Sequence, residues 1–220
     1  MRVATLKRLG AAALSDALGK RGAMDHDMKC RSANPRMAGP AYTVRVHTAD
    51  ILMVAAALAK CPKQHVLVID GQGELNTALW GELTTYCALN KELAGVVIDG
   101  AIRDAAKIAA GRLPVFARAI VPNAGGAEYL GELNVTVCCG GQVVRPGDWL
   151  IGDEDGVVVV PAEELDRVIQ AAKRIVAAEK ELERAIRRGA DLGELLRTDD
   201  AIERKRSEVF IPQLRGKAGR

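Results

Sequence analysis

The chain of 220 residues is 49% apolar and 27% charged, with a formal net charge of +3, the composition of a globular protein that can bury roughly 70–75% of its unfolded surface. That small net charge and only seven aromatic residues exclude the strong basic fields and stacking platforms of nucleic-acid binders. Charge is nevertheless uneven: residues 1–160 hold 17 Lys/Arg and 16 Asp/Glu, and the last 60 hold 14 and 12, about twice the density.

The polar N-terminus reaches no apolar run of signal-peptide length. Leu6, Leu9, Ala13, Leu14 and Leu18 recur at helical spacing and predict an opening helix over 6–19, closed by Gly19 and Gly22. Residues 41–47 alternate, with Tyr42, Val44 and Val46 on one face, as a half-buried strand does. Thr48 or Asp50 then caps an Ala-rich helix to Lys60. Residues 66–70 and 95–99 are short apolar runs closed by Asp and flanked by helical segments, which reads as central strands of βαβ type. Shorter strands are expected over 115–121, 135–139, 149–152 and 157–160, with a turn at Arg145-Pro146-Gly147-Asp148. Pro161-Ala162-Glu163-Glu164 opens a final helix that runs to about Arg188. Its apolar stripe, Leu165, Val168, Ala172, Ile175, Val176, Leu182 and Ile186, has Glu179 in its middle. Either the helix has left the core there, or that carboxylate has a use.

The body is thus mixed α/β without an internal linker. The longest apolar run, Ile51 to Ala59, is far too short to span a bilayer. Five cysteines (Cys30, Cys61, Cys87, Cys138, Cys139) without CxxC spacing read as reduced core thiols of a cytoplasmic protein. Cys138 and Cys139, adjacent on a strand, should face opposite ways.

Chemistry is expected around residues 81–104. Gly81-Glu82-Leu83-Thr84 begins a helix to about Asn90, and its first turn offers backbone N–H groups to an anion. Nine helical residues travel ~13 Å away and five strand residues ~16 Å back. Arg103 and Asp104 therefore return beside Gly81. Orphan N–H donors, a guanidinium and a hard carboxylate suit a small 2-oxo acid with Mg²⁺ or Mn²⁺. The bland alternative is that Arg103 and Asp104 cap a helix and pair on the surface. His26, between Asp25 and Asp27, reads as a solvated loop residue, and His47 and His65 as locally satisfied. Asp70-Gly71-Gln72-Gly73 after a strand faintly suggests a nucleotide-binding loop, as in a methyltransferase, but lacks a third glycine.

Asp99-Gly100-Ala101-Ile102-Arg103-Asp104, Gly81-Glu82-Leu83, Gly39-Pro40-Ala41-Tyr42-Thr43-Val44, Pro146-Gly147-Asp148 and residues 152–161 resemble the family of regulator of ribonuclease activity A and its related pyruvate-releasing aldolases. The resemblance covers about residues 10–165. Residues 18–24 and the long charged final helix make the chain more similar to the aldolases of 4-hydroxy-4-methyl-2-oxoglutarate and 4-carboxy-4-hydroxy-2-oxoadipate. The resemblance implies a swivelling β/β/α sandwich with a barrel-like central sheet and a long C-terminal helix, a single catalytic domain over 1–160 and a helical extension over 161–220 for oligomer contacts. It implies a divalent-metal-dependent (class II) lyase that releases pyruvate and also decarboxylates oxaloacetate, assembled as a trimer or hexamer. The backbone of Gly81, Glu82, Leu83 and Thr84 would hold the pyruvyl carboxylate and Arg103 the 2-keto oxygen. Asp104 would be the one direct ligand of Mg²⁺ (or Mn²⁺), with Glu82 ordering water beside it. Glu179, with Glu181 and Glu183 as alternatives, would reach a neighbouring subunit's site; Asp16 stands where such aldolases often carry Glu. The rival reading is a non-catalytic regulator that binds a ribonuclease or another protein.

Overall fold

The computed structural model describes residues 2–208. The chain forms two compact units, one ending at Ile175 and one beginning at Val176. The first contains α1 (Arg2–Ala17), β1 (Lys29–Cys30), β2 (Met37–Arg45), α2 (Leu52–Lys60), β3 (Val66–Trp80), α3 (Glu82–Asn90), β4 (Gly95–Ile102), α4 (Ala105–Ala109), β5 (Val115–Ile120), β6 (Glu132–Leu133), β7 (Val137–Cys139), β8 (Gln142–Val144), β9 (Trp149–Asp153), β10 (Gly156–Val160) and the start of α5 (Leu165–Arg187). The second continues from α5 into α6 (Leu192–Leu196) and α7 (Thr198–Glu208).

The main sheet runs β1-β5-β4-β3-β2-β9-β10, with β6 also on β2. Its centre is parallel, because each step among β2, β3, β4 and β5 is a crossover that carries a helix. β2 changes partners part-way: Met37–Pro40 pair antiparallel with β9, and Ala41–Arg45 pair parallel with β3. Thr43, expected toward solvent, is fully buried and donates its hydroxyl to Val135 O, whereas Arg45 and His47 on the same face keep the exposure that a half-buried strand implies. One core lies between the sheet and α2–α4, around Val54, Leu58, Ile69, Ile98 and Ile108; the other lies on the sheet's opposite face, against β7 and β8, around Phe116, Val137, Leu150 and Val159. The architecture is therefore a mixed α/β sandwich with a mostly parallel central sheet and a long C-terminal helix, as the sequence implies.

Local differences have local causes. α1 begins at Arg2 and breaks at Gly10, whose φ of 81° favours glycine. There the Ala11 N–H donates to Asp153 Oδ2 at 2.6 Å, so a carboxylate on β9 caps the helix's second half. β3 does not stop at Asp70: Gln72 and Gly73 take positive φ, the register with β4 shifts, and the strand continues to Trp80. A bulged strand that opens no helix is not a nucleotide-binding loop. Asp50, one of the two candidate caps, accepts the Leu52 N–H at 2.8 Å ahead of α2. β1, β6 and β8 are too short to show a period and were not foreseen. The thiols are not all core groups: Cys61 and Cys139 are buried, but Cys87 and Cys138 are exposed. The Cys138-Cys139 pair does face opposite ways. Burial pushes Cys61 up to about 12. In α5, Leu165, Val168, Ile169 and Ala172 are buried, whereas Glu179 and Ile186 lie exposed in the second unit. Among the described residues no helix is long and apolar enough to cross a membrane.

One cluster escaped the sequence reading. Arg118, on β5, donates to Asp99 on β4, to Asp27 at 2.5 Å and to Asp25 at 2.7 Å. Asp99 is 6% exposed and its second oxygen accepts the Gly140 N–H at 2.8 Å. One guanidinium thus ties the loop before β1 to the sheet and, through Asp99, to the turn after β7. The Arg118 hydrogen bond holds the Asp27 carboxyl below its ordinary range.

Candidate active site

The site stands where α3 leaves β3 and α4 leaves β4. Gly81 is extended (φ −160°), so its need for glycine is spatial: an added Cβ would lie 2.6 Å from Asp104 Oδ2 and 3.2 Å from Arg103 Cγ. The turn is anchored from below. The Arg103 N–H donates to Trp80 O at 2.9 Å, the buried Trp80 indole to Thr85 Oγ1 at 2.8 Å, and the Thr85 hydroxyl to Gly81 O at 2.8 Å.

The first-turn donors of α3 are not all free. The Gly81 N–H donates to Thr84 Oγ1 at 2.9 Å and the Glu82 N–H to Asp104 Oδ2 at 2.9 Å. The Leu83 and Thr84 N–H groups have no partner among the described residues. An anion here would therefore meet two N–H groups at the positive end of a helix dipole.

Asp104 has left-handed backbone (φ 57°, ψ 39°) ahead of α4 and makes no side-chain cap to that helix. It turns instead toward Gly81, with Arg103 Nε 3.7 Å from its Oδ2. A short polar residue tolerates this backbone better than most, but at a cost. The side-chain cap of the bland alternative is thus absent, whereas its surface pairing of Arg103 with Asp104 is present. Glu82 is held at the mouth: Lys107 Nζ stands 3.6 Å from Oε1, and the Tyr86 hydroxyl donates to Oε1 at 2.8 Å, which raises the phenol above its ordinary value. Both partners were missed, although Tyr86 lies one helical turn from Glu82 and was within reach of the i,i+4 rule.

Gly81, Glu82, Leu83, Thr84, Arg103 and Asp104 line one open pocket of 170 Å³, with Ile51, Ala78 and Ala124 among its apolar walls. The Ala124 wall is fixed from a distance. Asp50 Oδ2 accepts the Glu128 and Tyr129 N–H groups at 2.7 and 3.1 Å, and the Tyr129 ring stacks on His47 at 4.4 Å. Burial raises the Asp50 carboxyl, but three backbone N–H groups outweigh it and leave a net lowering. His65 Nδ1 lies 3.1 Å from Lys63 O, a local partner, while Asp25 and Asp27 beside His26 are spent on Arg118. Asp16 is exposed on α1, and Glu179 belongs to the second unit.

Among the described residues Asp104 makes its contacts through Oδ2, and no group of three His, Cys, Asp or Glu could hold a metal ion. One hard carboxylate in an open pocket fits a largely hydrated divalent cation and does not fit a soft ion caged by protein.

The profile of the RraA-like family, described as Aldolase/RraA, matches residues 11–159. An uncharacterized protein of Methanocaldococcus jannaschii is 42% identical over 160 residues, covering 72% of this chain and 76% of its own. A 4-hydroxy-4-methyl-2-oxoglutarate aldolase of Thermus thermophilus is 34% identical over 148 residues, covering 67% and 90%. A solved Thermus structure described as the RNA-processing inhibitor RraA superposes with a TM-score of 0.64 at 34% identity, covering 68% of this chain and 91% of that one. With the fold and the Gly81–Asp104 pocket in place, these likenesses make the chain a member of the Aldolase/RraA family.

Proposed function

We propose that the protein is a class II, divalent-metal-dependent aldolase. It cleaves a 4-hydroxy-2-oxo acid, such as 4-hydroxy-4-methyl-2-oxoglutarate or 4-carboxy-4-hydroxy-2-oxoadipate, to release pyruvate, and it decarboxylates oxaloacetate through the same enolate chemistry. The observation that carries this reading is the Asp104 carboxylate, turned away from its own helix and onto the Gly81 turn.

Asp104 would hold Mg²⁺ or Mn²⁺, which when bound supplies Lewis-acid polarisation of the 2-oxo group. The Leu83 and Thr84 N–H groups receive the pyruvyl carboxylate. Arg103 donates to the 2-keto oxygen and stabilises its growing negative charge as the C3–C4 bond breaks. Glu82, steadied by Tyr86 and Lys107, orients water at the mouth, where a base must take the C4 hydroxyl proton. Glu179 serves the site of a neighbouring subunit in a trimer or hexamer. No lysine is among the described lining residues, and Lys107 is engaged with Glu82, which speaks against a Schiff-base route.

A second reading, a regulator that binds a ribonuclease, is favoured by the description of the Thermus structure. A coupled pyruvate assay over several 4-hydroxy-2-oxo acids and oxaloacetate, with and without divalent metal, tests the first reading. Metal-dependent pyruvate release with no change in the rate of an added ribonuclease is the expected result; ribonuclease inhibition without pyruvate reverses the assignment.

Gly81→Ala gives a local check. The new Cβ displaces the Asp104 carboxylate and breaks its bond to the Glu82 N–H, so pyruvate release should fall at least about tenfold. The melting temperature should shift by only a few degrees, because the new Cβ presses on the part-exposed Asp104 side chain and not on backbone. Unchanged activity would remove the Gly81–Asp104 contact from the mechanism.

A further inference from the structure

We propose that the chain carries a second anion site, which takes a small aliphatic dicarboxylate in a cavity lined by Arg21 and Arg145. The cavity has a volume of 350 Å³, about twice the 170 Å³ at Gly81, and shares no lining residue with it.

Its walls are pinned before any ligand arrives. Gly22 has a φ of 78° and lies so close to β10 that a Cβ would meet Val159 O at 2.4 Å; the Val159 N–H donates to Gly22 O at 2.8 Å. Arg21 is thereby set at the rim, and its Nε donates to Leu18 O at 2.8 Å. On the other side the Gln142 amide donates to Ala23 O at 2.8 Å. Asp148, 2% exposed, staples the remaining wall by accepting the Arg145 N–H at 2.8 Å and the Ala162 N–H at 3.1 Å.

The charge left over is positive. Asp148 is spent on backbone. Glu164 pairs with Arg167 and stands 4.0 Å from Arg21 Nη2, at the limit of an ion pair. The Arg145 guanidinium has no hydrogen bond or ion pair among the described residues. Two guanidiniums in one pre-built cavity match two carboxylates, each a planar acceptor of paired N–H groups. Leu18 and Val159, both 4% exposed, and Pro161 give the cavity apolar surface. That surface favours a short methylene body over a fully hydrated inorganic anion.

Succinate is the probe, titrated calorimetrically into the full chain with EDTA present, so the result is independent of the proposed reaction. One succinate per chain is expected for wild type and for Arg103→Ala. Arg145→Ala and Arg21→Ala should each weaken it at least about tenfold, and Arg145→Lys should recover part of the loss. Propionate and inorganic phosphate should each bind at least about tenfold more weakly than succinate. Arg145 has no partner to lose, so the melting temperature of its variants should match wild type. The proposal is overturned if succinate does not bind, if its binding is lost in Arg103→Ala but kept in Arg145→Ala, or if phosphate binds as tightly.

Discussion

Replacing Asp104 with Asn should abolish metal-stimulated pyruvate release, by at least about 100-fold, while leaving the fold intact. Asn is the informative substitution because it separates charge from shape. Its side-chain oxygen can still accept the Glu82 N–H that Asp104 Oδ2 takes at 2.9 Å, and Asn tolerates left-handed backbone of the kind recorded at this position. What disappears is the negative charge that would hold a divalent cation. Asp104→Ala removes both. If the carboxylate only shaped the turn, Asn would keep most of the activity and Ala would lose it. If it holds the metal, both variants should fall to the rate of wild type in EDTA, and added Mg²⁺ or Mn²⁺ should restore neither. Full activity of either variant in EDTA would sink the metal-dependent mechanism.

The approach of residues 81–84 to 103–104 was legible because it follows from two rigid elements of known rise, a helix out and a strand back. The strand proved longer than its apolar run, ending at Ile102, yet the turn still closed on Gly81. What chain arithmetic could not supply was the state of each donor. The first turn of α3 reads as a set of orphan N–H groups, yet those of Gly81 and Glu82 are taken by Thr84 and Asp104. Nor could that arithmetic find the Ala124 wall, since the bonds from Asp50 to Glu128 and Tyr129 span 78 and 79 residues. Thr43 on β2 was misread for a related reason. Alternation reports a half-buried strand, and Thr43 fits it, but a strand shared between two sheet neighbours and two cores buries a hydroxyl whenever a carbonyl stands ready to accept. The pairing of Arg21 with Arg145 around one cavity is equally invisible in one dimension. It exists because Gly22 presses against β10 and Asp148 staples the opposite wall.

Arg118→Met should be the most destabilising single change outside the apolar core, at about 3–5 kcal/mol. Arg118 and Asp99 have side-chain exposures of 14% and 8%, so their pairing is poorly screened by solvent. Methionine fills much of the volume but leaves Asp99 buried with, among the described residues, only the Gly140 N–H as a partner, and Asp25 and Asp27 lose the group that ties their loop to β5. The cost is that of the stranded carboxylate more than of the missing contacts. The pH dependence has a definite sign. Asp27 has its folded pKa lowered, chiefly by the Arg118 hydrogen bond. Its contribution is therefore present above the unfolded carboxyl value, near ~3.9, and is lost as pH falls through the lower folded value. The gap between wild type and Arg118→Met should be widest near neutrality and should narrow below about pH 4 as Asp27 protonates. Urea unfolding followed by tryptophan fluorescence reads the first unit alone, since Trp80 and Trp149 both lie there. Asp27→Asn, which removes only a half-exposed partner, should cost much less. Coincident midpoints for wild type and Arg118→Met at pH 7 would show that the cluster adds nothing to stability.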